Sequence, residues 1–164
     1  MIIERTYDKE LIERIATHPK IYKHGADDYS PSIEEYSAEV WVSNPHCIAL
    51  VGWVEDNPVG AVLGHMRNGV TCEVHICVLP DYWSDSTLFA GDAVQWLFDN
   101  TGILKLVANI QANNMFAFKL ARKVGFSLEG ISRLSFLKNG ILLDQYMFGL
   151  SKEDVCHKQQ PQPQ

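Results

Sequence analysis

The stretch Thr71 to Val78, TCEVHICV, sets a carboxylate and an imidazole two residues apart. It is β-branched and alternating, so it reads as a strand. Val74, Ile76 and Val78 then share one face, and Glu73, His75 and Cys77 share the other. Side chains two apart on one face stand side by side. A carboxylate there can hold an imidazole in one tautomer or raise its pKa, which is how a general base is positioned. A partly exposed polar strand face without chemistry would show the same alternation, and periodicity alone favours that plainer reading.

A second group lies in NNMFAFKLARKVGFSLEG, Asn113 to Gly130. Asn113 or Asn114 caps a helix in which Ala117, Leu120, Ala121 and Val124 form an apolar stripe. Gly125 supplies the C-terminal turn and Phe126 re-enters the core. Lys119, Arg122 and Lys123 form a basic face, either merely solvated or meeting the phosphates of a cofactor.

The third group, VLPDYWSDSTLFAG, runs from Val78 to Gly91. Strand, short turn and helix N-terminus is a common phosphate-binding arrangement. Such a turn usually carries glycines, so that backbone can approach the anion, and a basic residue. This one offers Trp83, Ser84, Asp85 and Ser86, with no glycine before Gly91. Asp85, with Ser84 or Ser86, is expected to cap the helix itself.

These groups need a framework. Strands are expected at Ile2 to Tyr7, His46 to Glu55, Val59 to Arg67, Val70 to Leu79, Leu104 to Gln111, Ser127 to Leu137 and Ile141 to Leu150. EDNP and Asn68-Gly69 supply tight turns. Helices are expected at Asp8 to Thr17, stopped by His18-Pro19, at Ser86 to Asn100, and at Asn114 to Val124. One more should start near Ser32, where Ser-Ile-Glu-Glu resembles a capping box. The pattern is α/β (α+β): a mixed, mostly antiparallel sheet of about seven strands with helices on both faces. One domain spans residues 1–153, and residues 154–164 form a polar Pro/Gln tail.

The chain has 164 residues, 46% hydrophobic and 21% charged, as expected of one soluble globular domain with a sizeable core. A net charge of −6 argues against a nucleic-acid partner. The start MIIERTYDKE is charged at once and is not expected to act as a signal peptide, and no apolar run approaches the roughly 18 residues a membrane span needs. Cys47, Cys72, Cys77 and Cys156 lack metal-ligand spacing and are expected to be free thiols in a reducing cytoplasm, with no metal site.

The run N-x-x-A-x-x-L-x-x-K-x-G-F-x-x-E-G, Asn114 to Gly130, resembles the fourth-helix motif of the GNAT acyltransferase superfamily, and the element order fits that fold. HPKIY, DDYS, EVH, QWLFDNTG and GILLDQYMFGL resemble GNAT-like proteins encoded by tailed bacteriophages, some associated with head assembly or the virion. The resemblance implies acetyl-CoA bound where the fourth and fifth strands splay apart, and direct attack by an amine acceptor. Glu73 and His75 become the candidate bases, and a backbone N–H near Val78 and Leu79 the oxyanion donor. Val78, Leu79, Ser84, Ser86, Asn109 and Asn114 are the positions it assigns to the cofactor, with Asn114 beside the pantetheine arm.

Two departures stand against that pattern. The family's tyrosine acid falls on Ala121, and the basic and glycine positions of its pyrophosphate loop fall on Trp83, Ser86 and Leu88. Side chains replace close backbone approach there, and Asp85 adds negative charge, so weak or lost CoA binding is expected. The resemblance thus implies an N-acyltransferase whose amine docks between Asp27-Asp28 and Lys138 to Gly140. Two alternatives remain: a non-catalytic binding or structural protein, and a sensor for another small molecule. The aromatic segment Tyr22, Tyr29, Tyr36 and Trp41 would serve as a protein interface, with a homo-oligomer among the options.

Overall fold

Ile2–Arg5 (β1) pairs antiparallel with Cys47–Val54 (β2), after a helical segment that crosses one face of the sheet. The computed structural model describes residues 1–158, the side chains of 156–158 excepted. In that segment Lys9–Ala16 (α1) is capped by Asp8, whose carboxylate accepts from the Leu11 N–H. Pro19–Gly25 (α2) and Glu39–Ser43 (α3) follow. Then come Asn57–Met66 (β3), Thr71–Val78 (β4), a 3-10 helix over Pro80–Asp85, and Ser86–Asn100 (α4). Lys105–Gln111 (β5), Met115–Val124 (α5), Ser127–Lys138 (β6), Ile141–Ser151 (β7) and Lys152–Lys158 (α6) complete the described chain.

The seven strands lie in the order β1-β2-β3-β4-β5-β7-β6. Only β4 and β5 pair in parallel. This is the mixed, mostly antiparallel sheet expected from the sequence. α1 buries Leu11, Ile12 and Ile15 against Ala49, Val51, Ala61 and Leu63 on one face. α4 buries Phe89, Ala93, Leu97 and Phe98 against Leu50, Val62, Leu106 and Phe148 on the other. Fully burying each such phenylalanine contributes roughly 1.5–3 kcal/mol, so α4 anchors the larger core. α5 ends at Gly125, whose φ of 112° only glycine adopts without strain, and its N–H reaches the Ala121 and Arg122 carbonyls.

The segment before β2 departs from expectation. Pro19 opens α2 at its first turn, with His18 as the cap, instead of only stopping α1. The Ser32–Glu35 capping box does form: Ser32 N–H donates to Glu35, and Glu35 N–H donates to the Ser32 hydroxyl. It closes a single turn that does not continue as a helix; α3 begins only at Glu39, after Ala38, whose N–H donates to the Glu13 carboxylate at 3.0 Å. The tail expected from residue 154 falls on α6, where Val155 packs against the main core. Residues 159–164 lie outside the described part.

Candidate functional site

Strand parity decides which backbone groups are available. The Leu79 N–H donates to the Val59 carbonyl at 2.9 Å and the Arg67 N–H to the Thr71 carbonyl at 2.8 Å. Odd-numbered residues of β4 therefore bond to β3, while Val70 turns its carbonyl to Leu104 and Lys105 on the other side. Pairing of β4 with β5 ends at Glu73 opposite Val107. Beyond it the two strands separate, and the outward groups of Val74, Ile76 and Val78 face the gap. Leu79 is thereby removed as an oxyanion donor, since its N–H belongs to the sheet; Val78 keeps an N–H directed at the gap.

Side chains near the gap form a cluster that the sequence only half revealed. Glu73 is 7% exposed. Its Oε2 accepts from Arg67 Nε at 2.6 Å and from Arg67 Nη2, and its Oε1 accepts from Asn109 Nδ2 at 3.0 Å. His65 Nε2 stands 3.7 Å away. With both oxygens engaged, Glu73 is positioned as an anchor, and Asn109 ties β5 to β4 where they begin to part.

His75 is open to the cleft yet surrounded by protein. Its ring stacks on His65, centroids 5.9 Å apart at 16°, and meets Trp41 edge-on at 5.8 Å. Desolvation lowers its pKa from the ordinary 6.5, with His65 and Arg67 pushing the same way and Glu73 opposing. The imidazole is thus neutral at pH 7 and able to accept a proton. His65 and Arg67 escaped the sequence reading, which gave Trp41 only to a protein interface. The signal lay in the hairpin: Asn68 Oδ1 accepts from both Val70 and Thr71 N–H, giving a three-residue loop that sets His65 opposite Glu73. A two-residue Asn-Gly turn would have put them on opposite faces.

On the other face, the Trp83 indole N–H donates to the Val78 carbonyl at 3.0 Å, and its ring lies 6.3 Å from Phe116. Asp85 does not cap α4 as expected: its carboxylate takes the Ser84 hydroxyl instead. The 3-10 helix runs directly into α4, and the Ser86 N–H is taken by the Trp83 carbonyl. Ser86 is buried, Ser84 is exposed, and Ala121 packs in the core. Asn114 is the cap of α5, its Oδ1 accepting from Ala117 N–H at 3.1 Å. Lys119, Arg122 and Lys123 are exposed.

A cleft of about 760 Å³ passes through the gap, from Tyr22, Tyr36 and Trp41 on one side to Ala90, Val94 and Ala121 on the other. The expected docking place between Asp27-Asp28 and the β6–β7 turn is closed. Asp28 accepts from the N–H groups of Asn139 and Gly140, both at 2.7 Å, and Lys138 binds the Lys23 and Ala26 carbonyls. The aromatic segment expected as an interface is turned largely toward the cleft. Tyr22 and Tyr36 meet edge-on at 5.9 Å and Trp41 faces His75, leaving Tyr29 alone of the four exposed, at 85%. Cys47, Cys72 and Cys77 are free thiols, and burial pushes Cys72 and Cys77 up to about 12. Cys156 lies outside the described side chains. Among the described residues no cluster suits a metal ion, and no helix is long and apolar enough to cross a membrane.

Comparison with known structures agrees with this layout. Spermidine N-acetyltransferase from Vibrio cholerae, in complex with CoA and spermine, superposes with a TM-score of 0.77 at 15% identity, covering 94% of this chain and 97% of that one. A GNAT-family acetyltransferase from Streptococcus pneumoniae gives 0.67 at 18% identity, covering 92% and 98%. At these identities the likeness is one of fold. No curated protein sequence matches the chain significantly. The model of the acetyltransferase (GNAT) family matches residues 12–126, well over half the chain. The chain belongs to the GNAT acetyltransferase family.

Proposed function

We propose that this chain is an acyl-CoA-dependent N-acyltransferase acting on a primary amine, with His75 as the base. The observation that carries the reading is a neutral imidazole open to the gap between β4 and β5, on the strand whose Val78 N–H faces that gap. The gap also fits an acyl-CoA. The free edge of β4 offers backbone groups to an extended amide-bearing arm, as an added strand would use them. Ala108, Ala117 and Ala121 leave room beside it.

When bound, an acyl thioester supplies the carbonyl carbon: the amine nitrogen bonds to it, the C–S bond breaks, and solvent protonates the departing thiolate. His75 takes the proton that the nitrogen gives up. The Val78 N–H stabilises negative charge on the carbonyl oxygen. Glu73, locked by Arg67 and Asn109, fixes the floor on which His75 stands and favours the imidazolium as it forms. Asn114 and the α5 N-terminus border the cofactor side.

A second reading is favoured by Trp83, which covers the Val78 carbonyl beside a turn without glycines and with an acidic Asp85. On that reading the cleft binds a ligand without turnover, or CoA binds weakly. Neither relative named above is a phage protein, so a virion role rests on the sequence resemblance alone. Calorimetric titration with acetyl-CoA, followed by a thiol-release assay with primary amines, separates the two. Binding with amine-dependent release supports the transferase; neither heat nor release at millimolar acetyl-CoA overturns it.

A further inference from the structure

The acceptor end of the cleft carries a charge pattern that selects among amines; which end receives the acceptor rests on the transferase reading. No aspartate or glutamate is among the described residues lining the cleft, whereas Lys20, His24 and His75 are. The nearby carboxylates stand behind that wall and are held by protein donors, although burial, with Asp27 and Glu35 adding through space, still pushes the Tyr22 hydroxyl up. Glu73 holds Arg67 and Asn109, Asp28 holds the β6–β7 turn, and Asp27 takes the Ser30 hydroxyl and the Tyr29 N–H. Glu13 takes the Ala38 N–H and Lys9. Burial pushes the Tyr36 hydroxyl up to about 12, so it contributes no anion at neutral pH. A polyamine brings several ammonium groups, and each loses hydration on entry and needs an anion there. No carboxylate stands on the cleft wall to meet them in direct contact.

It offers rings instead. Tyr22 meets Tyr36 edge-on at 80°, and Trp41 meets His75 at 65°, so aromatic edges and faces line the approach to the base. We propose that the acceptor is a monoamine whose non-reacting part is aromatic, seated against Tyr22, Tyr36 and Trp41, and that polyamines are poor ligands. An aryl group there makes offset or edge contacts with these rings while its single amine reaches His75. A monoamine brings at most one positive charge, which passes to His75 beside Glu73 when the amine gives up its proton, whereas a polyamine leaves its remaining ammonium groups without a contact anion.

The test is equilibrium binding of phenethylamine and of spermidine to the purified chain in about 0.15 M salt, where diffuse attraction to an acidic surface is screened. Phenethylamine should bind about tenfold tighter or more, and Trp41→Ala should bring the two within about twofold. Spermidine binding as tightly as phenethylamine, or a ratio untouched in Trp41→Ala, overturns the proposal. Should Trp41→Ala fail to fold, Lys20→Glu adds the missing anion and should strengthen spermidine binding about fivefold; unchanged binding counts against the proposal. Selective phenethylamine binding without acetyl-CoA-dependent thiol release contradicts the transferase reading and leaves this inference standing. Faster release with spermidine than with phenethylamine does the reverse.

Discussion

His65 and His75 stack face to face across β3 and β4, centroids 5.9 Å apart and rings 16° from parallel. A second imidazole in this position disfavours a charge on His75. Desolvation is the main reason the His75 pKa lies below 6.5, and His65 and Arg67 add to it against the pull of Glu73. Replacing His65 by glutamine should therefore move the His75 titration to higher pH. Proton NMR of the imidazole resonances over pH 4 to 8 reads this directly; an unmoved or lowered midpoint would sink the assignment.

The same shift has a stability consequence. A histidine whose folded pKa is depressed stabilises the fold above its unfolded value near 6.5, and that contribution is lost as pH falls below it. Chemical denaturation at pH 7.5 and pH 5 should show the loss in the wild type, and a smaller loss in His75→Phe. Equal losses would mean that another group carries it.

The Glu73–Arg67 pair predicts a different signature. Arg67→Ala leaves a carboxylate that is 7% exposed without its cation, and destabilisation of about 2 kcal/mol is expected. That is below the cost for a fully buried pair because the arginine side chain is 44% exposed and Asn109 remains. Adding Glu73→Gln to Arg67→Ala should recover most of the loss. No recovery in urea midpoints would show that Arg67 acts through packing alone.

Asp85 and Trp83 should set cofactor affinity. Asp85→Asn removes a negative charge beside the start of α4 and should tighten acetyl-CoA binding about three- to tenfold. Trp83→Ala frees the Val78 carbonyl and should lower the melting temperature while also tightening binding. If either variant weakens binding, the turn is built to receive the cofactor as it stands.

Much of the framework was legible because period and punctuation agreed. Ser86–Asn100 lies where its apolar pattern put it, and Asn114 and Gly125 bracket α5 as their residue types require. The face shared by Glu73, His75 and Cys77 followed from alternation alone. What was not legible depended on tertiary choices. Pro19 reads equally as a stop and as a first helical residue, and the docking of Ala38 on Glu13 decides where the Ser32 turn ends. Neither the partners of Glu73 nor the engagement of Asp28 by Asn139 and Gly140 could be seen without the hairpin register and the path of the loop.

The central claim is that His75 accepts the amine proton in an acyl-CoA-dependent transfer. Its most direct test is the pH dependence of kcat/KM for acetyl-CoA-dependent acetylation of phenethylamine, by the wild type and by His75→Gln. The predicted rate rises below pH 6.5 and is level by pH 7, and it falls about 10²–10⁴-fold in the variant with the rising limb gone. A variant that keeps both the rate and the limb, or a wild type that binds acetyl-CoA and transfers nothing to any amine, would contradict it.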